Sequence, residues 1–190
     1  MTGFNRAKMA RGFALALGGS LALLAAMPAA AALQVGEQAP DFTLKAALGG
    51  KEMPFSLKQA LKKGPVVLYF FPAAFTPGCT IEAHSFAEAT DSFTKLHATV
   101  IGVTSGNIDR VAEFSKVECR DKFAVAADPE AKIAAVYKNQ IKFGDKTLSD
   151  RTSYVIAPDG KILLAYTDRN PEQHITKSLE AVKAWRAKHS

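Results

Sequence analysis

Apolar and polar positions along the chain follow two alternating periods. Val66-Val67-Leu68-Tyr69-Phe70-Phe71 is an unbroken β-branched and aromatic run, the pattern of a strand buried on both faces. From about Cys79 to His97 the spacing changes, and Phe86, Ala89, Phe93 and Leu96 recur at helical intervals. Thr99 to Thr104 reads as a second buried strand, Asn107 to about Glu118 as a second helix, and Val125 to Ala127 as a short strand. Pro129 stands where proline favours a helix start. Ser153–Ala157 and Lys161–Tyr166 flank Pro158-Asp159-Gly160, a hairpin signal, and Pro171 opens a last helix that carries Trp185. Upstream, Asp41–Leu44 reads as a strand and Gly49-Gly50-Lys51 as a turn.

The order β-α-β-α-β-hairpin-α predicts an α/β domain of thioredoxin-like architecture, a central mixed sheet flanked by helices with an N-terminal β extension. No repeat or linker marks a second domain. The expected division is a signal peptide over 1–32 and one domain over 33–190. Arg6, Lys8 and Arg11 precede the small and apolar stretch Gly12–Met27, and Pro28-Ala29-Ala30-Ala31-Ala32 offers cleavage-site residues. The alternative is an uncleaved anchor, since roughly 20 apolar residues suffice to span a bilayer, but Gly18, Gly19 and Pro28 weaken it. A cleaved leader predicts export, to a bacterial periplasm, with no stable membrane association afterwards.

The 190 residues are 48% hydrophobic and 22% charged, enough for a core and too ordered for wholesale disorder. The formal charge of +6 overstates the basicity, because without residues 1–32 there remain 21 basic and 18 acidic side chains. No basic run with interleaved aromatics follows, so nucleic acid is not an expected partner. His97, His174 and His189 have no ligand spacing, which argues against a metal site. His84 receives no role.

Two cysteines, Cys79 and Cys119, carry the remaining chemistry. Cys79 follows a buried strand and begins a long helix, where unpaired N–H groups and the helix dipole favour a thiolate. Pro72 and Pro77 stiffen the approach, Gly78 lets a small substrate near the backbone, and Thr76 supplies a hydroxyl three residues before the sulfur. Alone, Thr76 could equally make a local backbone hydrogen bond, and Arg151 an ordinary ion pair. Glu82 could be a first-turn helix residue or a partner of Arg151. Two cysteines in an exported chain would by default form a structural disulfide.

Taken together these residues resemble the peroxiredoxins. Pro72-x-x-x-Thr76-x-x-Cys79, read as PAAFTPGC, matches the active-site pattern of that family. Gly36-Glu37-Gln38-Ala39-Pro40-Asp41-Phe42, Arg151 before Ser153–Ile156, and Asp159-Gly160-Lys161-Ile162 extend the match from Leu33 to Trp185. Cys79-Thr80-Ile81-Glu82-Ala83 is most similar to the bacterioferritin-comigratory, or Q-type, branch. The resemblance implies a thiol-dependent peroxidase for hydrogen peroxide and organic hydroperoxides, without a cofactor, recycled by a thioredoxin-like or glutaredoxin-like thiol reductant, and monomeric. It implies that Cys79 attacks the peroxide, that Thr76, Arg151 and the amides near Gly78 hold the oxygens, and that Pro72 shields the sulfur. Many Q-type members place a resolving cysteine five residues on, where this chain has His84, so Cys119 is the resolving candidate and a one-cysteine enzyme the alternative. Rival readings are a disulfide oxidoreductase, which lacks its second cysteine in Cys79-Thr80-Ile81-Glu82, a copper-delivery protein, which lacks a paired cysteine, and an exported thioredoxin-like module stapled by a permanent disulfide.

Overall fold

The computed structural model describes residues 1–2 and 32–189. The expected leader, residues 1–32, falls almost wholly on residues 3–31, outside the described residues. A hairpin comes first, β1 (Thr43–Leu48) and β2 (Lys51–Ser56), followed by the short helix α1 (Leu57–Leu61). Gly49 and Gly50 both have positive φ, 57° and 80°, as the turn between two such strands requires. Next come β3 (Val66–Ala73), α2 (Pro77–Lys95), β4 (Thr99–Gly106), α3 (Val111–Val117) and β5 (Ala124–Ala127). The chain ends with α4 (Lys132–Val136), a side hairpin of β6 (Gln140–Phe143) and β7 (Lys146–Ser149), the pair β8 (Thr152–Ile156) and β9 (Ile162–Thr167), and α5 (Glu172–Arg186).

Seven strands form one mixed sheet in the order β2-β1-β5-β4-β3-β8-β9. β3 and β4 run parallel, as do β4 and β5, while β8 lies antiparallel to β3. This is the predicted thioredoxin-like arrangement, and the N-terminal extension is the hairpin that joins the sheet edge through β5. The continuous apolar run of β3 is fully buried from Val66 to Phe71. Val66, Leu68 and Phe70 face one apolar layer, and Val67, Tyr69 and Phe71 the other, as the two-residue period of a strand dictates. Each such side chain contributes about 1.5–3 kcal/mol by leaving water. The second layer, roofed by α2, α3 and α5, holds both cysteines.

Two predicted helices start differently from the periodicity. Asn107 is left-handed (φ 53°), so the segment after β4 begins as a single 3-10 turn, Ile108–Arg110, before α3. Glu130 and Ala131 are also left-handed, at 60° and 54°, and break the helix expected from Pro129. The Asp128 carboxylate instead accepts the N–H groups of Ile133 and Ala134, both at 2.9 Å, and so starts α4.

Candidate active site

The turn from β3 into α2 aims the first helical residues at the loop before β8. Phe75 is left-handed (φ 61°), a backbone cost of about 1–3 kcal/mol. Its ring offsets that cost by meeting Phe114 edge-on at 5.1 Å, while the Arg110 guanidinium covers it at 3.8 Å. Thr76 occupies the helix N-cap and Pro77 the first helical position, yet the Thr76 side chain makes no cap. Its hydroxyl donates to the Ala73 carbonyl at 3.0 Å. The local backbone bond is therefore real, and it leaves the hydroxyl lone pairs free to accept.

Cys79, one turn into α2, is 1% exposed, and Arg151, the residue before β8, is 7% exposed. Arg151 uses its whole fork. Nε donates to the Arg169 carbonyl at 3.1 Å, Nη1 to Glu82, and Nη2 lies 3.5 Å from Cys79 Sγ. A Cβ on Gly78 would lie 3.1 Å from Arg151 Nη2, so a glycine there lets the guanidinium close against the helix. Burial works against the Arg151 charge, but Glu82 and then Cys79 outweigh it and hold its pKa above the ordinary value.

Glu82 sits three residues beyond Cys79, on the same helix face, and is fully buried. One carboxylate oxygen takes the Arg151 bond, while the other, Oε1, has no hydrogen-bond partner among the described residues. Burial lifts its pKa to about 8 despite Arg151. His174 Nδ1 on α5 is 3.7 Å from that free oxygen. His174 Nε2 lies 2.9 Å from the Asp168 carbonyl and must donate to it, so in the neutral ring Nδ1 accepts from the Ser153 hydroxyl at 2.8 Å. Burial keeps His174 below its ordinary value. The Tyr69 hydroxyl is buried beside this group without a partner among the described residues. Burial, then Cys119, Glu82 and Cys79, raise its pKa well above normal.

Cys119 follows the last residue of α3 and its C-cap Glu118, in a turn where Arg120 and Asp121 are both left-handed. It is fully buried in the same apolar layer as Cys79, and both are free thiols. Burial, then the Glu118 charge, push the Cys119 thiol well up, so at rest it is a poor nucleophile. Three side-chain contacts hold this turn against α2. His84 meets Glu118 at 2.7 Å, Glu88 meets Arg120 at 3.2 Å, and Asp91 meets Lys122 at 3.4 Å.

Of the sequence candidates, Cys79 and Arg151 touch, and Thr76 stands at the N-cap position of the helix that carries Cys79, its hydroxyl bonded to Ala73. Pro72 lies half-buried at the end of β3, and Cys119 shares the layer of Cys79 without being bonded to it. Glu82, left undecided between two roles, is the Arg151 partner. His84, given no role, pairs with Glu118. His174, Ser153 and Tyr69 went unpredicted as neighbours of the site. The i, i+3 spacing of Cys79 and Glu82 was a usable signal, whereas His174 reaches the site only through tertiary packing.

The sequence matches the AhpC/TSA family over residues 35–165. It is 34% identical over 154 residues to a putative peroxiredoxin bcp of Helicobacter pylori, covering 79% of this chain and 98% of that one. It is 30% identical over 156 residues to peroxiredoxin Bcp of Bacillus subtilis, covering 80% and 96%. A crystal structure of peroxidoxin BcpB from Mycobacterium tuberculosis superimposes with a TM-score of 0.73 at 30% identity, over 80% of this chain and 97% of that one. These relatives correct the periplasmic expectation. The domain alone fills 98% and 96% of the two bacterial Bcp sequences, which leaves them no room for an export leader. A basic and apolar N-terminal composition is thus not enough to place this chain in the periplasm.

Proposed function

The chain belongs to the AhpC/TSA family as a thiol-dependent peroxidase of the Bcp, or Q-type, branch, and on that premise we propose that Cys79 is its peroxide-reducing residue and Cys119 the thiol that resolves it. The observation that carries the first assignment is the Arg151 Nη2 contact to Cys79 Sγ at 3.5 Å inside a nearly closed site. A guanidinium there is placed to pair with the attacking thiolate, the nucleophilic form. The thiolate attacks one peroxide oxygen, the O–O bond breaks, and negative charge gathers on the departing oxygen. Arg151 and the uncapped first-turn amides of α2 face that charge as donors. Thr76, whose proton is committed to Ala73, serves as the acceptor for the peroxide O–H. Cys79 becomes a sulfenic acid, the reversible first stage of thiol oxidation.

Cys119 is the only other cysteine in the chain. Its burial in the same layer supports it as the intramolecular partner, and the left-handed residues Arg120 and Asp121 supply the hinge that lets it move. A disulfide then forms by condensation with loss of water, and an external dithiol reductant restores both thiols. The test treats the reduced protein with one equivalent of hydrogen peroxide or an organic hydroperoxide and follows peroxide loss and thiol mass. Rapid loss that vanishes in Cys79→Ser is expected, together with a trapped sulfenic or over-oxidised Cys79 in Cys119→Ser. Peroxide loss no faster than that of a free thiol defeats the first assignment. An undiminished disulfide yield in Cys119→Ser defeats the second.

A further inference from the structure

Arg151 is one cation faced by two acids. Cys79 Sγ stands on Nη2 and the Glu82 carboxylate on Nη1, and all three groups are buried. If Cys79 and Glu82 were both ionised, the pocket would hold an uncompensated negative charge away from water, which costs several kcal/mol. Among the described residues, the groups that face Glu82 offer no second cation. Tyr69 on β3 is a buried phenol, and His174 on α5 is held neutral by burial with its Nε2–H spent on Asp168. The pocket therefore has room for one anion at a time.

We propose that Glu82 holds a proton while Cys79 is a thiolate and releases it when Cys79 becomes a sulfenic acid, so that Arg151 always faces one anion. The inference rests on the Cys79 reading above and adds a proton to it. As the S–O bond forms, sulfur supplies the electron pair and is oxidised, and the O–O bond breaks. The attacked oxygen keeps its hydrogen on sulfur, and the other oxygen leaves as RO⁻. RO⁻ needs one proton to become ROH, and Glu82 gives up one, so charge and atoms balance without a buffer acid. Glu82 acts through the shared guanidinium and is a positioning residue for charge, since it does not touch the reacting oxygens. The free oxygen Oε1 lies 3.7 Å from His174 Nδ1, whose lone pair is taken by the Ser153 hydroxyl, so neutral His174 leaves Arg151 as the one cation beside Glu82 among the described residues. The lift of Glu82 to about 8 by burial agrees with a neutral carboxyl in the resting site.

The experiment mixes reduced protein carrying Cys119→Ser with hydrogen peroxide in weak buffer and reads proton uptake with an indicator dye, alongside the mass of Cys79. Where Glu82 is present, uptake per sulfenic acid is expected near zero. In the added Glu82→Gln variant it is expected near one. Equal uptake in the two proteins overturns the proposal. A reaction that leaves no sulfenic acid on Cys79 overturns the Cys79 reading and this one with it. An infrared difference spectrum of the Cys119→Ser protein, oxidised minus reduced, supplies a readout free of the Glu82 variant. A protonated-carboxyl band should be lost and a carboxylate band gained on oxidation. In Cys79→Ser, where Arg151 has only Glu82 to pair with, the protonated band should be missing from the start, and its persistence there counts against the proposal.

Discussion

His84 Nε2 lies 2.7 Å from Glu118 Oε2, and this contact ties the helix that carries Cys79 to the turn that carries Cys119. It heads a row of three side-chain contacts between α2 and residues 118–122, the other two being ion pairs. Resolution through Cys119 requires that turn to leave its seat, so the row opposes the step. The pairs are at least partly exposed, and such pairs contribute about 0.2–1 kcal/mol each.

Replacing His84 with Ala should therefore speed disulfide formation roughly 2–5-fold, the rate equivalent of up to about 1 kcal/mol. Raising ionic strength should move the wild-type rate the same way by screening the row. Quenched-flow mass spectrometry of the disulfide after a peroxide pulse measures both. A rate indifferent to the substitution and to salt removes the row as a brake.

Arg151→Met should slow the peroxide step about 10²-fold or more, the typical loss for one donor aimed at developing charge. It should also destabilise the fold by about 3–5 kcal/mol above pH 8, where Glu82 is ionised and is left an unpaired buried anion. Adding Glu82→Gln to Arg151→Met should recover stability but not rate. Urea titration and stopped-flow kinetics separate the two effects, and a double variant no more stable than the single one contradicts the pairing.

Glu82 also predicts how stability varies with pH. Its folded pKa, about 8, lies above the ordinary 4.5, so the folded state binds the extra proton between those values. Stability of the reduced protein should fall as pH rises from about 4.5 through 8, and Glu82→Gln should flatten that slope. His174 has the opposite sign. Its folded pKa is lowered below 6.5, so it costs stability as pH falls through that value. Denaturant midpoints across this range, with His174→Asn as the second control, test the assignment. A slope unchanged by Glu82→Gln refutes it.

Gly102→Ala should disturb the site from beneath. A Cβ there would lie 2.8 Å from the Tyr69 ring and hydroxyl, and Tyr69 is wedged against Phe86 at 4.4 Å and Phe71 at 5.4 Å. Overpacking of this kind costs about 1–3 kcal/mol. Thermal unfolding reads the loss, and a Tm equal to wild type would show that the ring yields freely.

What the sequence revealed were features written into neighbouring residues. The apolar run Val66–Phe71, the Pro72/Thr76/Cys79 spacing and the Pro158-Asp159-Gly160 turn each carry their structure locally. Strand β2, helix α1 and the β6–β7 hairpin were not foreseen, since their residues are short, mostly polar runs stabilised by what they pack on. The broken helix after Pro129 turned on two left-handed residues, Glu130 and Ala131, that have no glycine to announce them. Within the site, Cys79 was legible from motif and helix start. Arg151 enters only through the resemblance and Glu82 only as one of two alternatives, while His174 is not legible, because the three are 69 and 23 residues apart and meet only when β8 and α5 close over α2.

The alternation of β3 has a further meaning for the working molecule. Its even-numbered residues serve a layer without a cysteine, and its odd-numbered residues serve the layer that holds both thiols. With Cys119 as the proposed resolver, the sheet is a bulkhead between a compartment that opens in each catalytic cycle and one that can stay shut. Backbone hydrogens under α1 and α4 should keep their slow exchange while those around α3 quicken during turnover. An engineer seeking heat resistance has a full half of the core to repack, from Leu57 to Ile162, without stiffening the half that moves.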